Sequence, residues 1–143
     1  MASRWYNRGA YRALYEGLNG KDLRTLLVKS SYSFDATHNF VSDVVAGSSE
    51  ISVSGYARYD HATVTIAEDD SNGRAYLDLD DAAFTSLASG QTIGGAVVYI
   101  YNASDASAEV VAFLDVADTP TNGGNVTIQW AATSSGAVMY LAT

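Results

Sequence analysis

The stretch Glu68–Gly73 holds the densest set of potential ligand side chains. Glu68, Asp70, Asn72 and Gly73 fall at the spacing of positions 1, 3, 5 and 6 of a calcium-binding loop. Such a loop closes with a bidentate glutamate six residues after the glycine, where this chain has Leu79. The flanking residues read as strands and not as helices, so a solvated acidic hairpin turn is the better reading. Asp78, Asp80 and Asp81 offer paired carboxylates of the kind that serve acid–base or metal chemistry. Alternating acids are also the ordinary outer face of a strand. His38 and His61 are the two histidines, one beside Asn39-Phe40 in a short helical turn, the other on the polar side of a strand. A catalytic triad also needs a positioned serine and a carboxylate, and no nucleophile elbow is present. With no cysteine there is no thiolate chemistry, no disulfide and no Cys-based metal site. Gly94-Gly95 lacks phosphate-loop spacing and fits a strand that bends or passes close to another backbone. Asn102-Ala-Ser104 and Asn125-Val-Thr127 match the glycosylation triplet, which carries no weight without a secretory signal. The expectation is a binding or structural module with no catalytic residue, no cofactor and no metal.

The elements that would position these residues centre on Thr92–Tyr101, an uncharged run rich in Val, Ile and Tyr. It reads as a strand buried on both faces. Val110–Leu114 follows after a polar turn and predicts the second strand of a central hairpin. Leu23–Val28 predicts another strand, with Ser30–Phe34 as its continuation, and Asp35-Ala36-Thr37 offers caps for a helical turn through His38–Val44. Period-two alternation predicts half-buried strands at 51–56, 61–66, 75–80, 84–87, 126–130 and 138–141. Asp118–Gly124 reads as a long turn holding the single proline. Phe113 and Trp130 are expected in the core, with Val97 or Val98 against them. The expected fold is mainly β: a β-sandwich or flattened barrel of about eight or nine antiparallel strands behind one N-terminal amphipathic helix.

That helix is predicted at 3–18, with Tyr6, Ala10, Ala13, Leu14 and Gly17 on one face and Asn19-Gly20 as its stop. Arg4, Arg8 and Arg12 form a ridge on another face. Residues 1–29 hold six basic and two acidic residues, a net +4; residues 30–143 hold two basic and fourteen acidic residues, a net −12. This contrast divides the chain into a basic aromatic arm, 1–21, and an acidic β body, 22–143. An acidic body repels nucleic acid. No stretch approaches the roughly 20 apolar residues of a membrane span, and the start of the chain does not read as a signal peptide, so cytoplasmic synthesis is expected. Arg4, Trp5, Tyr6, Arg8, Tyr11, Arg12 and Tyr15 are the side-chain types that dominate protein interfaces, and they predict a protein-docking surface. The basic block can also dock on the chain's own acidic residues.

Four stretches carry a resemblance across nearly the whole chain: Leu26-Leu-Val28 running into Tyr32-Ser-Phe34; His38-Asn-Phe-Val-Ser-Asp43; Gly90-Gln-Thr-Ile-Gly-Gly-Ala-Val-Val-Tyr99; and Ala112-Phe-Leu-Asp115 with Pro120-Thr-Asn-Gly-Gly-Asn-Val-Thr-Ile-Gln-Trp130. In this order they resemble a family of small β-rich virion structural proteins of tailed bacteriophages. The resemblance implies a non-enzymatic protein present in many copies on a phage particle, in contact with other virion proteins and with copies of itself. Phe40, Val98, Phe113, Trp130 and the turn Asn122-Gly123-Gly124 match as core and turn positions. A capsid decoration or cement role, docking on the major capsid protein, suits a small acidic β body with a basic arm. A tail or head–tail-junction component is the alternative. A host- or carbohydrate-binding module is the reading from another class, since ten tyrosines and two tryptophans could supply stacking surfaces.

Overall fold

The computed structural model describes residues 4–130 and, for the backbone alone, residues 139–142. In chain order the helices and strands are α1 (Asn7–Leu18), β1 (Leu23–Lys29), α2 (Val41–Val45), β2 (Tyr59–Asp60), β3 (Val64–Asp69), β4 (Arg74–Leu79), β5 (Ala82–Phe84), β6 (Thr92–Ile100), β7 (Val110–Pro120), β8 (Val126–Ile128) and β9 (Met139–Ala142). The fold is mainly β behind an N-terminal helix, and every strand pairing is antiparallel.

The chain forms two compact units. Met1–Lys21, Ala62–Asp81 and Gln129–Thr143 make one; Asp22–His61 and Ala82–Ile128 make the other. One boundary between the units falls between Lys21 and Asp22. The expected 22–143 body is nonetheless divided between both units, and the helix belongs with part of it. Burial is the reason. Ala10, Leu14 and Leu18 lie on one stripe of α1 and are buried, and α1 packs on β3 and β4.

In the first unit, β3, β4 and β9 form a three-stranded sheet with β4 in the middle. Ala75, Leu77 and Leu79 alternate inward along β4. The helix starts at Asn7, later than expected. Tyr6 is extended, and its carbonyl accepts the first helical bond from Ala10. Tyr6, Ala13 and Gly17 are exposed, so the inward stripe is narrower than predicted. Gly20 takes a left-handed conformation just beyond the Asn19 cap.

In the second unit the sheet order is β2-β1-β6-β7, with β5 and β8 as a separate pair. Both faces of β6 are buried, as its nearly continuous apolar run requires, and both faces of β1 are buried too, the polar Thr25 included. Leu26, Val28, Val97 and Tyr99 share one core with Val41 and Val44 of α2. The Asp43 carboxylate caps α2 by accepting the backbone N–H groups of Asn39 and Phe40. Asp35 instead accepts both groups of Thr37 and closes its own turn, so α2 begins only at Val41.

Several strand expectations differ from the structure. Ser30–Phe34 does not continue β1. Residues 51–56 are not a strand either. Ile51 donates to the Leu27 carbonyl, but the Leu27 N–H goes to the Tyr56 hydroxyl, so a side chain replaces the next ladder bond. β7 runs on to Pro120, which pairs with Thr92 at the strand end, where a missing N–H breaks no ladder. Phe113 is only half-buried, unlike the core position expected of it, whereas Trp130 is buried.

Candidate functional site

The seven residues of the expected docking surface fall into three groups. Arg4, Trp5 and Tyr6 precede α1 outside any helix or strand; Trp5 is 55% exposed and Tyr6 90% exposed. Arg8 and Arg12 are exposed on the helix and already paired. Arg8 Nε lies 2.9 Å from Glu68 of β3, and Arg12 lies 2.6 Å from Glu16 one turn on. Tyr11 and Tyr15 are half-buried, with ring centroids 5.4 Å apart. The ridge predicted for Arg4, Arg8 and Arg12 is therefore reduced to two helical residues, because Arg4 lies ahead of the first turn.

The acidic hairpin tip between β3 and β4 is engaged by its own unit. Besides Glu68 with Arg8, Asp70 accepts the Asn7 side-chain amide at 2.7 Å. Asp69 accepts from the Asn72 side chain at 2.7 Å and from Arg74 at 2.9 Å. The Asn72 hydrogen bonds, with Arg74 second, hold the Asp69 carboxyl below the usual carboxylate range. Gly73 closes the turn in the left-handed conformation. Asp80 accepts the Thr63 N–H and Asp81 the Trp130 N–H, so these acids tie backbone. Burial pushes Asp78 up.

His61 is not on a polar face. It is 8% exposed and 2.7 Å from the hydroxyl of fully buried Thr25 on β1. Its backbone N–H donates to Leu23 beyond the short β2, which carries the ring inward. Arg58 ties three segments of the same unit. It donates to both oxygens of Glu50 at 2.7 Å and to both of Asp105 at 2.6 and 2.9 Å. Glu50 also accepts the Tyr56 hydroxyl. Arg58 is held charged by these carboxylates, and its hydrogen bonds hold Asp105 below its usual range.

An aromatic cleft opens beside α2, over β6 and β7, with a volume of about 230 Å³. Val44, Val97 and Val110 form its apolar floor. Phe113 forms a wall, with Tyr32 at 5.7 Å and Phe34 stacked on it at 5.3 Å and 15°. Phe34 is 60% exposed. Asp35 and His38 add polar groups, and the His38 Nδ1 lies 3.2 Å from the Tyr32 hydroxyl. Hydrogen bonds from Thr37 hold the Asp35 carboxyl below its usual range. No family model, curated protein or solved structure matches the chain.

Tyr32, Phe34 and Phe113 were legible only as resemblance and core positions. One local signal marked the cleft: Phe34 stands between Ser33 and Asp35, an aromatic residue in a polar loop. Among the described residues no helix is long and apolar enough to cross a membrane.

Proposed function

We propose that this chain is a non-enzymatic structural subunit of a bacteriophage virion, a capsid decoration protein that docks on the shell through the segment ahead of α1. The observation that carries this reading is the exposure of Trp5 and Tyr6 next to Arg4. Tyr6 stands almost wholly in water and Trp5 is half exposed, its ring edge near Gly9; such rings beside a cation are the composition of an interface hot spot. The helix behind them is anchored by Ala10, Leu14 and Leu18, so it presents them from a packed base. The resemblance of the four sequence stretches supplies the virion setting. Neighbouring virion subunits with acidic rims and apolar pockets are the partners this surface fits.

Quantitative mass spectrometry of purified particles tests the reading. Wild-type chain is expected at icosahedral-scale copy number, and the Trp5→Ala/Tyr6→Ala double variant is expected to be folded and lost from the particle. A few or a dozen copies would move the protein to the tail or the head–tail junction. Full occupancy by the double variant would overturn the docking surface.

A further inference from the structure

We propose that Trp5 of one copy seats in the aromatic cleft of a second copy, between Tyr32, Phe34 and Phe113, with Arg4 against Asp35. This rests on the reading of the N-terminal segment as a docking element and names its acceptor. Three observations carry it. The first is fit. The cleft holds about 230 Å³ over Val44, Val97 and Val110. An apolar cavity of roughly 150 Å³ accepts benzene, so this one has room for an indole. The second is chemistry. Phe34 is held 60% exposed at the cleft although Phe113 stacks against it, so an incoming ring meets an aromatic wall. Aromatic pairs gain about 0.5–1.5 kcal/mol beyond their burial in offset or edge arrangements. The third is charge. Arg4 adjoins Trp5 in sequence and Asp35 adjoins Phe34, so one docked ring brings opposite charges together.

Each copy carries both an arm and a cleft, so two copies can exchange arms reciprocally and close as a two-fold pair, or each can give its arm to one neighbour and its cleft to another and build a ring or row. One aromatic side chain buries roughly 150–250 Å², well below the ~1,000 Å² of a stable interface. Association in free solution is therefore weak. It becomes persistent where copies are already held close, as on a particle surface.

Sedimentation velocity of the full chain tests this between about 10 µM and 1 mM, the range of a weak contact. Wild type is expected to self-associate with rising concentration, to a dimer or beyond. Trp5→Ala, which lacks the knob, and Phe34→Ala, which lacks a wall, are each expected to remain monomeric. Phe34 is exposed, so its removal leaves the core intact. Mixing the two variants is expected to give a one-to-one pair and nothing larger, since one keeps the cleft and the other keeps the arm. A monomeric wild type at 1 mM, or a Phe34→Ala variant that associates like wild type, overturns the proposal. Particle incorporation of the same variants separates the two readings. Loss of Trp5→Ala with retention of Phe34→Ala keeps the docking arm and removes the cleft as acceptor. Retention of both removes both.

Discussion

The Phe113 ring lies across the backbone of Gly95. A Cβ at Gly95 would come within 2.4 Å of Phe113 Cε2 and 3.1 Å of the Leu114 carbonyl. The neighbouring Gly94 is crowded by main chain: a Cβ there would meet Ser30 Cα at 2.4 Å. The two glycines thus allow close approach on different sides of β6.

Gly94→Ala is expected to destabilise more than Gly95→Ala, because Ser30 backbone cannot move aside as a ring edge can. Overpacking of this kind costs about 1–3 kcal/mol. Urea midpoints for the two variants check the order. Equal midpoints for Gly94→Ala and wild type would refute the close approach. Phe113→Ala should cost less than the roughly 3–5 kcal/mol of a fully buried phenylalanine, since Phe113 is half-buried.

Leu14→Ala is expected to cost about 2–5 kcal/mol, as a buried leucine facing the hairpin of the first unit. Trp5→Ala and Tyr6→Ala should stay within about 0.5 kcal/mol of wild type, because their side chains are exposed. Deleting residues 2–18 therefore removes part of a core and should unfold the first unit. This separates folding from docking on one helix, and thermal melts of the point variants read it directly.

Arg58→Met leaves Glu50 and Asp105 without their shared guanidinium. Loss of hydrogen bonds to charged groups costs about 1.5–3 kcal/mol, and the midpoint at pH 7 should fall accordingly. The pH dependence follows from Asp105, whose folded value is lowered chiefly by its Arg58 hydrogen bonds. A lowered carboxyl stabilises the native state above its unfolded value, near 3.9 for aspartate. That stability disappears as pH falls through the lower folded value. The gap between wild type and Arg58→Met should narrow in acid, and a gap independent of pH would contradict the pairing.

Millimolar calcium or a chelator is expected to leave the melting temperature unchanged. Glu68 is paired with Arg8 and Asp70 with Asn7, so a cation would have to displace both. Asp69→Ala, by contrast, should loosen the hairpin, since Asn72 and Arg74 both depend on that carboxylate. An upward shift with calcium would show that the template works without its closing glutamate.

Local pattern determined much of the architecture. A continuous apolar run marked β6 as buried on both faces, a short apolar run marked β1 as a strand, alternation marked β3 and β4, and Asn19-Gly20 marked the end of α1. These are properties of the chain within a few residues, and the structure keeps them. Tertiary structure alone decided what long-range partners impose. His61 sits in a polar alternation but is buried, because Thr25 of β1 offers its hydroxyl from 36 residues away. Residues 51–56 alternate like a strand, yet the Tyr56 hydroxyl takes the bond a strand would need. The basic helix reads as a separable arm from charge, but its buried Ala10, Leu14 and Leu18 pack it on β3 and β4. The aromatic cleft brings Phe113 to Tyr32 and Phe34, distant from it in sequence, through a hairpin whose glycines leave room for a ring. Charge and periodicity report each residue's own preference; burial depends on which partner arrives, and only the folded chain determines that.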